Sequence, residues 1–199
     1  TWSISFDPSA PLDALVEARD TNTNTDVLGR TVACSRFFGG REFEVVSGGV
    51  AANIASLADV RVLVARGTRA LPSFTDSGGP VPGTGAKGRI EGAAPASDGE
   101  RASLAALYCA QMVSEQLDAV CSKDDIIVDG PFAKNPVFLS VLAALRPRQQ
   151  VFASQLRDGT TAGAMVLALM TQTGELPQLD LSLDEVKPLA QATIADYAE

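Results

Sequence analysis

The sequence predicts an α/β domain, a mixed sheet with helices packed on its faces. Three observations carry this: a β-like start with period-two alternation, a long apolar helix pattern near residue 100, and strand–helix alternation after residue 120. The 199 residues suit one large domain or two small ones, and no repeat or linker divides them. With 46% hydrophobic residues the chain has the material for a buried core, so disorder is not expected.

The elements follow in order. Trp2 to Phe6 alternates and stops at Asp7-Pro8, a strand ending in a turn. Thr31 to Phe38 is a second β-like run closed by Gly39-Gly40, and Glu42 to Val46 is a candidate third, together forming an antiparallel ribbon. Ser56 with Asp59 resembles a capping box before Leu57, Val60, Leu63 and Val64, with Gly67 as the stop. The Gly- and Pro-rich stretch from Leu71 to Pro95 reads as a long surface loop. Ser97 with Glu100 opens a stronger helix that runs to about Val120. Asp125 to Asp129 is a compact strand broken by Gly130, and Asn135-Pro136 is an N-cap and first-turn pair for a helix through Leu145. Gln150 to Ala153 is a further strand. Thr160 to Met170 is a Gly/Ala-rich helix, in which Gly163 and Ala164 are expected to permit close packing.

Composition excludes several function classes. There is no histidine, which removes Ser-His-Asp and Cys-His catalysis and histidine-ligated zinc. Net charge is −8 without a basic cluster, so nucleic acid is not an expected partner. No apolar run approaches the ~20 residues of a membrane span, and the first residues lack a basic signal-peptide start. A cytoplasmic protein is expected, with Cys34, Cys109 and Cys121 as small hydrophobes in a reducing compartment.

Two motifs bear on function. Gly83 to Gly88 matches GxGxxG, but Pro80 and Pro82 precede it and no helix start follows, so a flexible loop is the favoured reading. The turn from Asp129 to Asn135 delivers a strand into a helix N-terminus, where free N–H groups would suit phosphate or ribose oxygens. An ordinary βα connection explains the same residues.

Ile126 to Gly130, Asn135-Pro136 with its apolar helix, and Asp158 to Ala164 resemble the C-terminal domain of FGGY carbohydrate kinases. The helix from Glu100 to Val120 and the Leu71-Pro72-Ser73-Phe74 loop extend the likeness over nearly the whole chain. The resemblance implies an actin-like, ribonuclease-H-like ATPase fold, with residues 1–199 as the ATP-side domain of a two-domain kinase. It implies ATP and Mg²⁺ as cofactors, a small sugar as substrate, and the N-terminal domain as partner. Thr1 resembles the family's phosphate-contacting threonine, Gly130, Pro131 and Asn135 its adenosine turn, and Gly49 with Asn53 its Gly-xxx-Gln spacing near phosphate. Pro131 departs from the usual second glycine and has no N–H to offer. The family's catalytic Asp lies upstream of the threonine, so this chain is expected to bind nucleotide at most weakly and not to transfer phosphoryl alone. A non-catalytic nucleotide-binding or interaction module on the same actin-like fold is the alternative. The sugar itself is not legible.

Overall fold

The chain enters as an antiparallel ribbon, in a computed structural model that describes residues 3–177, 181–190 and 193. Strand β1 (Ser3–Asp7) and strand β2 (Thr21–Thr25) flank β3 (Thr31–Phe37), with Ser3 opposite Phe37 and Thr25 opposite Thr31. The Asp7 carboxylate accepts the Ser9 amide at 2.8 Å, so the expected turn at Asp7-Pro8 is an Asx turn. β2 is a Thr-Asn alternation with almost no apolar content, which is why its pattern does not stand out in the sequence.

Residues 42–46, expected as a third strand, are helical. Helix α1 (Gly39–Ser47) buries Glu42, Val46 and Ser47 and ends at Gly48, whose φ is +68°. Glu-Phe-Glu-Val-Val alternates with period two, yet the buried pair Glu42 and Val46 is spaced for one helix face. Helix α2 (Leu57–Ala65) starts as expected, with Ser56 Oγ accepting the Asp59 amide at 3.1 Å. It stops at Gly67, φ +65°, where the Thr68 amide reaches back to the Leu63 carbonyl at 3.0 Å.

The stretch from 71 to 95 is less open than expected. Strands β4 (Arg69–Leu71) and β5 (Arg89–Glu91) pair antiparallel and close a folded loop between them. Within that loop, Ser73 exchanges backbone bonds with Thr84 and Gly88, and the Ala86 amide donates to the Thr75 carbonyl at 2.7 Å. The GxGxxG glycines serve this folding. A Cβ at Gly85 would lie 2.2 Å from the Asp76 carbonyl oxygen, and one at Gly88 would meet the Phe74 backbone at 2.6 Å.

Helix α3 (Asp98–Ala119) is the element on which the others assemble: α1, α2, β1, β3 and β4 all pack on it. Its buried face carries Leu104, Leu107, Tyr108 and Met112, and burying each large apolar side chain is worth ~1.5–3 kcal/mol. Strand β6 (Ile126–Val128), helix α4 (Pro136–Leu145) and strand β7 (Val151–Ser154) form a β-α-β unit, β6 and β7 being parallel. α4 packs on both α3 and β7. Helix α5 (Gly159–Thr173) and strand β8 (Leu183–Glu185) follow, β8 pairing antiparallel with β7. Contrary to expectation, α5 has no buried residue, and nothing comes within 4 Å of where a Cβ on Gly163 would sit. The cysteines are free, with Cys34 and Cys109 buried. Among the described residues no helix is long and apolar enough to cross a membrane.

Candidate functional site

A cleft of about 590 Å³ lies between β1 and β6, each the edge strand of its sheet. β1 supplies Ile4, Ser5 and Phe6. The first turn of α1 supplies Gly40 and Phe43, and the last turns of α3 supply the floor with Val113, Gln116 and Leu117. The opposite wall is β6 with the turn after it: Asp125 to Asp129, Pro131, Phe132 and Asn135. One wall is therefore apolar, and the other carries two carboxylates at the ends of a short apolar strand.

The turn from Gly130 to Lys134 is a 3-10 helix. Gly130 has φ +75° with open space around its missing Cβ, so its glycine answers to backbone conformation and not to crowding. Phe132 stacks on Phe138 with ring centroids 4.4 Å apart, fixing the turn to α4. Asn135 is only 4% exposed, and its Oδ1 accepts the amides of both Val137 and Phe138 at 3.1 Å.

That cap changes the chemistry expected here. Pro136 has no N–H, Val137 and Phe138 donate to Asn135, and Leu139 donates to the Asn135 carbonyl. All four leading positions of α4 are thus accounted for, and no free amide is left for phosphate, contrary to the sequence reading. Pro131 offers none either. The turn presents apolar surface, with Asp129 beside it. Its carboxylate lies so close to Gly159, at the start of α5, that a Cβ there would be 2.2 Å from it. Asp158 caps that same helix through Thr161. The Thr161 hydroxyl, then the Thr161 amide, hold its carboxyl below the usual range.

Across the cleft, α1 begins without any side-chain cap, its leading residues are Gly39 and Gly40, and Gly40 lines the cavity. Gly40 thus brings the N-terminus of α1, the positive end of its dipole, beside the cleft, with the Glu42 amide already donating to the Phe38 carbonyl. The signal was present in sequence as Gly39-Gly40, hidden by reading the following residues as a strand. The α1 start is anchored from behind. The buried Glu42 carboxylate accepts the amides of Phe74 (2.9 Å) and Thr75 (3.0 Å), the Thr75 hydroxyl (2.7 Å) and the Tyr108 hydroxyl (2.8 Å).

The other expected positions scatter. Gly130 adjoins the cleft wall that Pro131 and Asn135 form, while Gly49 sits past the C-terminal end of α1, the far end from Gly40. Asn53 is exposed in a 3-10 turn, next to Ala52, which does line the cleft. Thr1 lies outside the described residues. Among the described residues no cluster of His, Cys, Asp or Glu is arranged to hold a metal.

Residues 1–177 match the model of the carbohydrate kinase FGGY C-terminal domain. No curated protein matches the chain. Among solved structures, a carbohydrate kinase from Novosphingobium aromaticivorans superposes with a TM-score of 0.80 at 31% identity, over 100% of this chain and 43% of its own. A xyloylose kinase from Brucella ovis (TM-score 0.65, 17% identity, 99% of this chain, 43% of its own) and a xylulose kinase from Bifidobacterium adolescentis (0.64, 16%, 99%, 41%) share the fold. The chain thus spans less than half the length of the kinases it resembles. Its mixed sheet, helical cover and near-complete alignment lead to one conclusion: the chain belongs to the FGGY carbohydrate kinases and corresponds to their C-terminal, actin-like domain.

Proposed function

We propose that this domain is the nucleotide side of an ATP-dependent kinase that transfers the γ-phosphoryl group to a hydroxyl of a small sugar, in the cytoplasm. The observation that carries the reading is the cleft onto which the uncapped α1 N-terminus and the β6–α4 turn converge. Charge assigns the ends. Asp125 and Asp129 repel phosphates, so the adenosine lies along Gly130, Pro131 and Asn135 and the phosphates with Mg²⁺ lie toward Gly40. The resemblance gives Thr1 a phosphate contact in this reading, and Asn53 lies beside the wall. Gly49 has no place in it.

ATP supplies the phosphoryl group, and the residues of this chain bind and orient it. The sugar's acceptor hydroxyl is positioned, and its base supplied, by the part of the kinase that this chain does not span, so the 199 residues alone do not catalyse transfer. Calorimetric titration with MgADP tests the reading. Saturable binding is expected, and Gly130→Asp should abolish it by adding a carboxylate beside the turn, because Asp tolerates a left-handed φ and meets no neighbour there. Binding unaltered by Gly130→Asp would remove the nucleotide from this turn.

A second reading, an interaction module without nucleotide, is favoured by Pro131 and by the fully engaged amides of α4. Absence of MgADP binding, in this chain and in a longer polypeptide that includes the upstream domain, would decide for it.

A further inference from the structure

A recess of about 670 Å³ opens where the C-terminal ends of α3 and α4 meet, and it shares only Ser122 with the cleft. One side is formed by Asp118 and the turn that follows α3, the other by the end of α4 and the loop leading to β7. Three of the side chains lining it are cationic, Lys123, Arg146 and Arg148, against the single carboxylate of Asp118. Such a cluster runs against the chain as a whole, whose net charge is −8.

Arg146 has a structural duty that the other two lack. Its side chain is only 10% exposed and pairs with Asp118. Its Nε donates to Gln149 Oε1 at 2.7 Å and its guanidinium to the Ser122 carbonyl at 3.3 Å, which sets a cation against the carbonyl ends of both helices. These bonds engage three of its five N–H groups and offset the Asp118 charge. Lys123 and Arg148 are exposed and, among the described residues, have no ion pair or hydrogen bond. The carboxylates that follow Lys123 are engaged elsewhere. Asp124 accepts the Ser9 hydroxyl at 3.0 Å, while Asp125 accepts the Gln150 amide at 3.3 Å and lines the cleft instead. Two uncompensated positive charges therefore border one recess, beside a buried guanidinium with N–H groups to spare.

We propose that this recess is a second anion site, for a phosphate dianion that is either free or carried as the ester of a small molecule. Lys123 and Arg148 match the two charges, the lysine as a compact point charge and the arginine as a planar fork for two oxygens. The Ser122 hydroxyl accepts from Gln149 at 3.3 Å and keeps its own proton to donate. Leu145 and Pro147 give the carbon part of an ester an apolar surface within the same recess. The proposal does not depend on what the cleft binds.

Calorimetric titration at constant ionic strength, without nucleotide, uses two probes: inorganic phosphate and ribose phosphate. Saturable binding of at least one is expected at or below about 1 mM, and the tighter of the two identifies the source. Lys123→Gln combined with Arg148→Gln should weaken it at least about tenfold. The melting temperature should stay unchanged, because neither side chain has a partner to lose. Cys121 reports the location: it lines the recess half-buried, whereas Cys34 and Cys109 are buried. The bound ligand should therefore slow alkylation of Cys121 by N-ethylmaleimide, read by peptide mass spectrometry. Absence of saturable binding in that range for both probes overturns the proposal. So does binding unaltered in the double variant, or Cys121 labelling unchanged at saturation, since either places the anion elsewhere.

Discussion

Glu42 offers the sharpest test of how this domain is held together. It is 1% exposed, and its two oxygens take four hydrogen bonds, two each, from Phe74, Thr75 (twice) and Tyr108. In Glu42→Gln one oxygen becomes an amide NH₂, and whichever way the amide turns, one backbone N–H faces it without an acceptor, while the hydroxyl beside it must rotate to accept. A buried donor left unpaired costs ~1–3 kcal/mol, which is the expected loss. For a chain of this length that is a fall of roughly 2–12 °C in melting temperature. Glu42→Ala strands all four donors and leaves a cavity, for ~3–5 kcal/mol. Urea unfolding followed by circular dichroism reads both values. A Glu42→Gln protein within ~0.5 kcal/mol of the parent would refute the reasoning.

Three further outcomes are expected. Pro131→Gly restores an N–H to the turn and should tighten MgADP binding in calorimetry; unchanged affinity would place the nucleotide away from that backbone position. Gly85→Ala drives a methyl into the Asp76 carbonyl and should unfold the loop between β4 and β5. Gly83→Ala, at φ +74° in open space, should cost only ~1 kcal/mol, and equal thermal shifts would contradict the packing described. Burial first, and then the Glu42 carboxylate, push the Tyr108 hydroxyl far above its ordinary range. The folded state therefore keeps a proton that the unfolded chain loses above about pH 10, and stability should fall there by ~1.4 kcal/mol per pH unit. Burial raises the Cys109 thiol too, so the decline begins earlier, near pH 8.5. Tyr108→Phe should flatten the part above pH 10, as followed by denaturant midpoints across alkaline buffers.

Much of the fold was legible because its caps are local chemistry. Ser56, Ser97 and Asn135 each accept the amide that their spacing promised, Asp158 caps α5 in the same way without having been expected to, and the helix starts fall within a residue or two of expectation. The errors came where local pattern and tertiary environment disagree. Residues 42–46 alternate like a strand, and only the destination of the Glu42 carboxylate, more than thirty positions along the chain, reveals a buried helix face. The site was half legible. Gly130 to Asn135 was found from its turn chemistry, but the occupation of the α4 amides by Asn135 follows from side-chain geometry that spacing alone does not contain. Gly39-Gly40 was visible and misread, because a glycine pair marks the end of a strand as readily as the start of a helix. The isolation of α5 could not be seen at all, since an apolar helix with a Gly/Ala motif looks the same whether its neighbour lies within the chain or outside it.

The position of α3 constrains any redesign of this protein. A single rod of 22 residues, ~33 Å long, carries Tyr108 under the β4–β5 loop and Gln116 under the cleft floor, with the Gln116 side chain donating to the Ser35 carbonyl at 2.7 Å. A substitution that shifts this rod at one end is transmitted to the other, so the floor is poor ground for altering ligand preference. The walls are freer: Ile4 and Phe6 on β1, and Ile127 on β6, are half exposed and bear on the cleft without supporting the core. A library that varies those three positions would sample cleft shape at little risk to the scaffold, whereas one built on Val113, Gln116 and Leu117 would mostly sample unfolded protein.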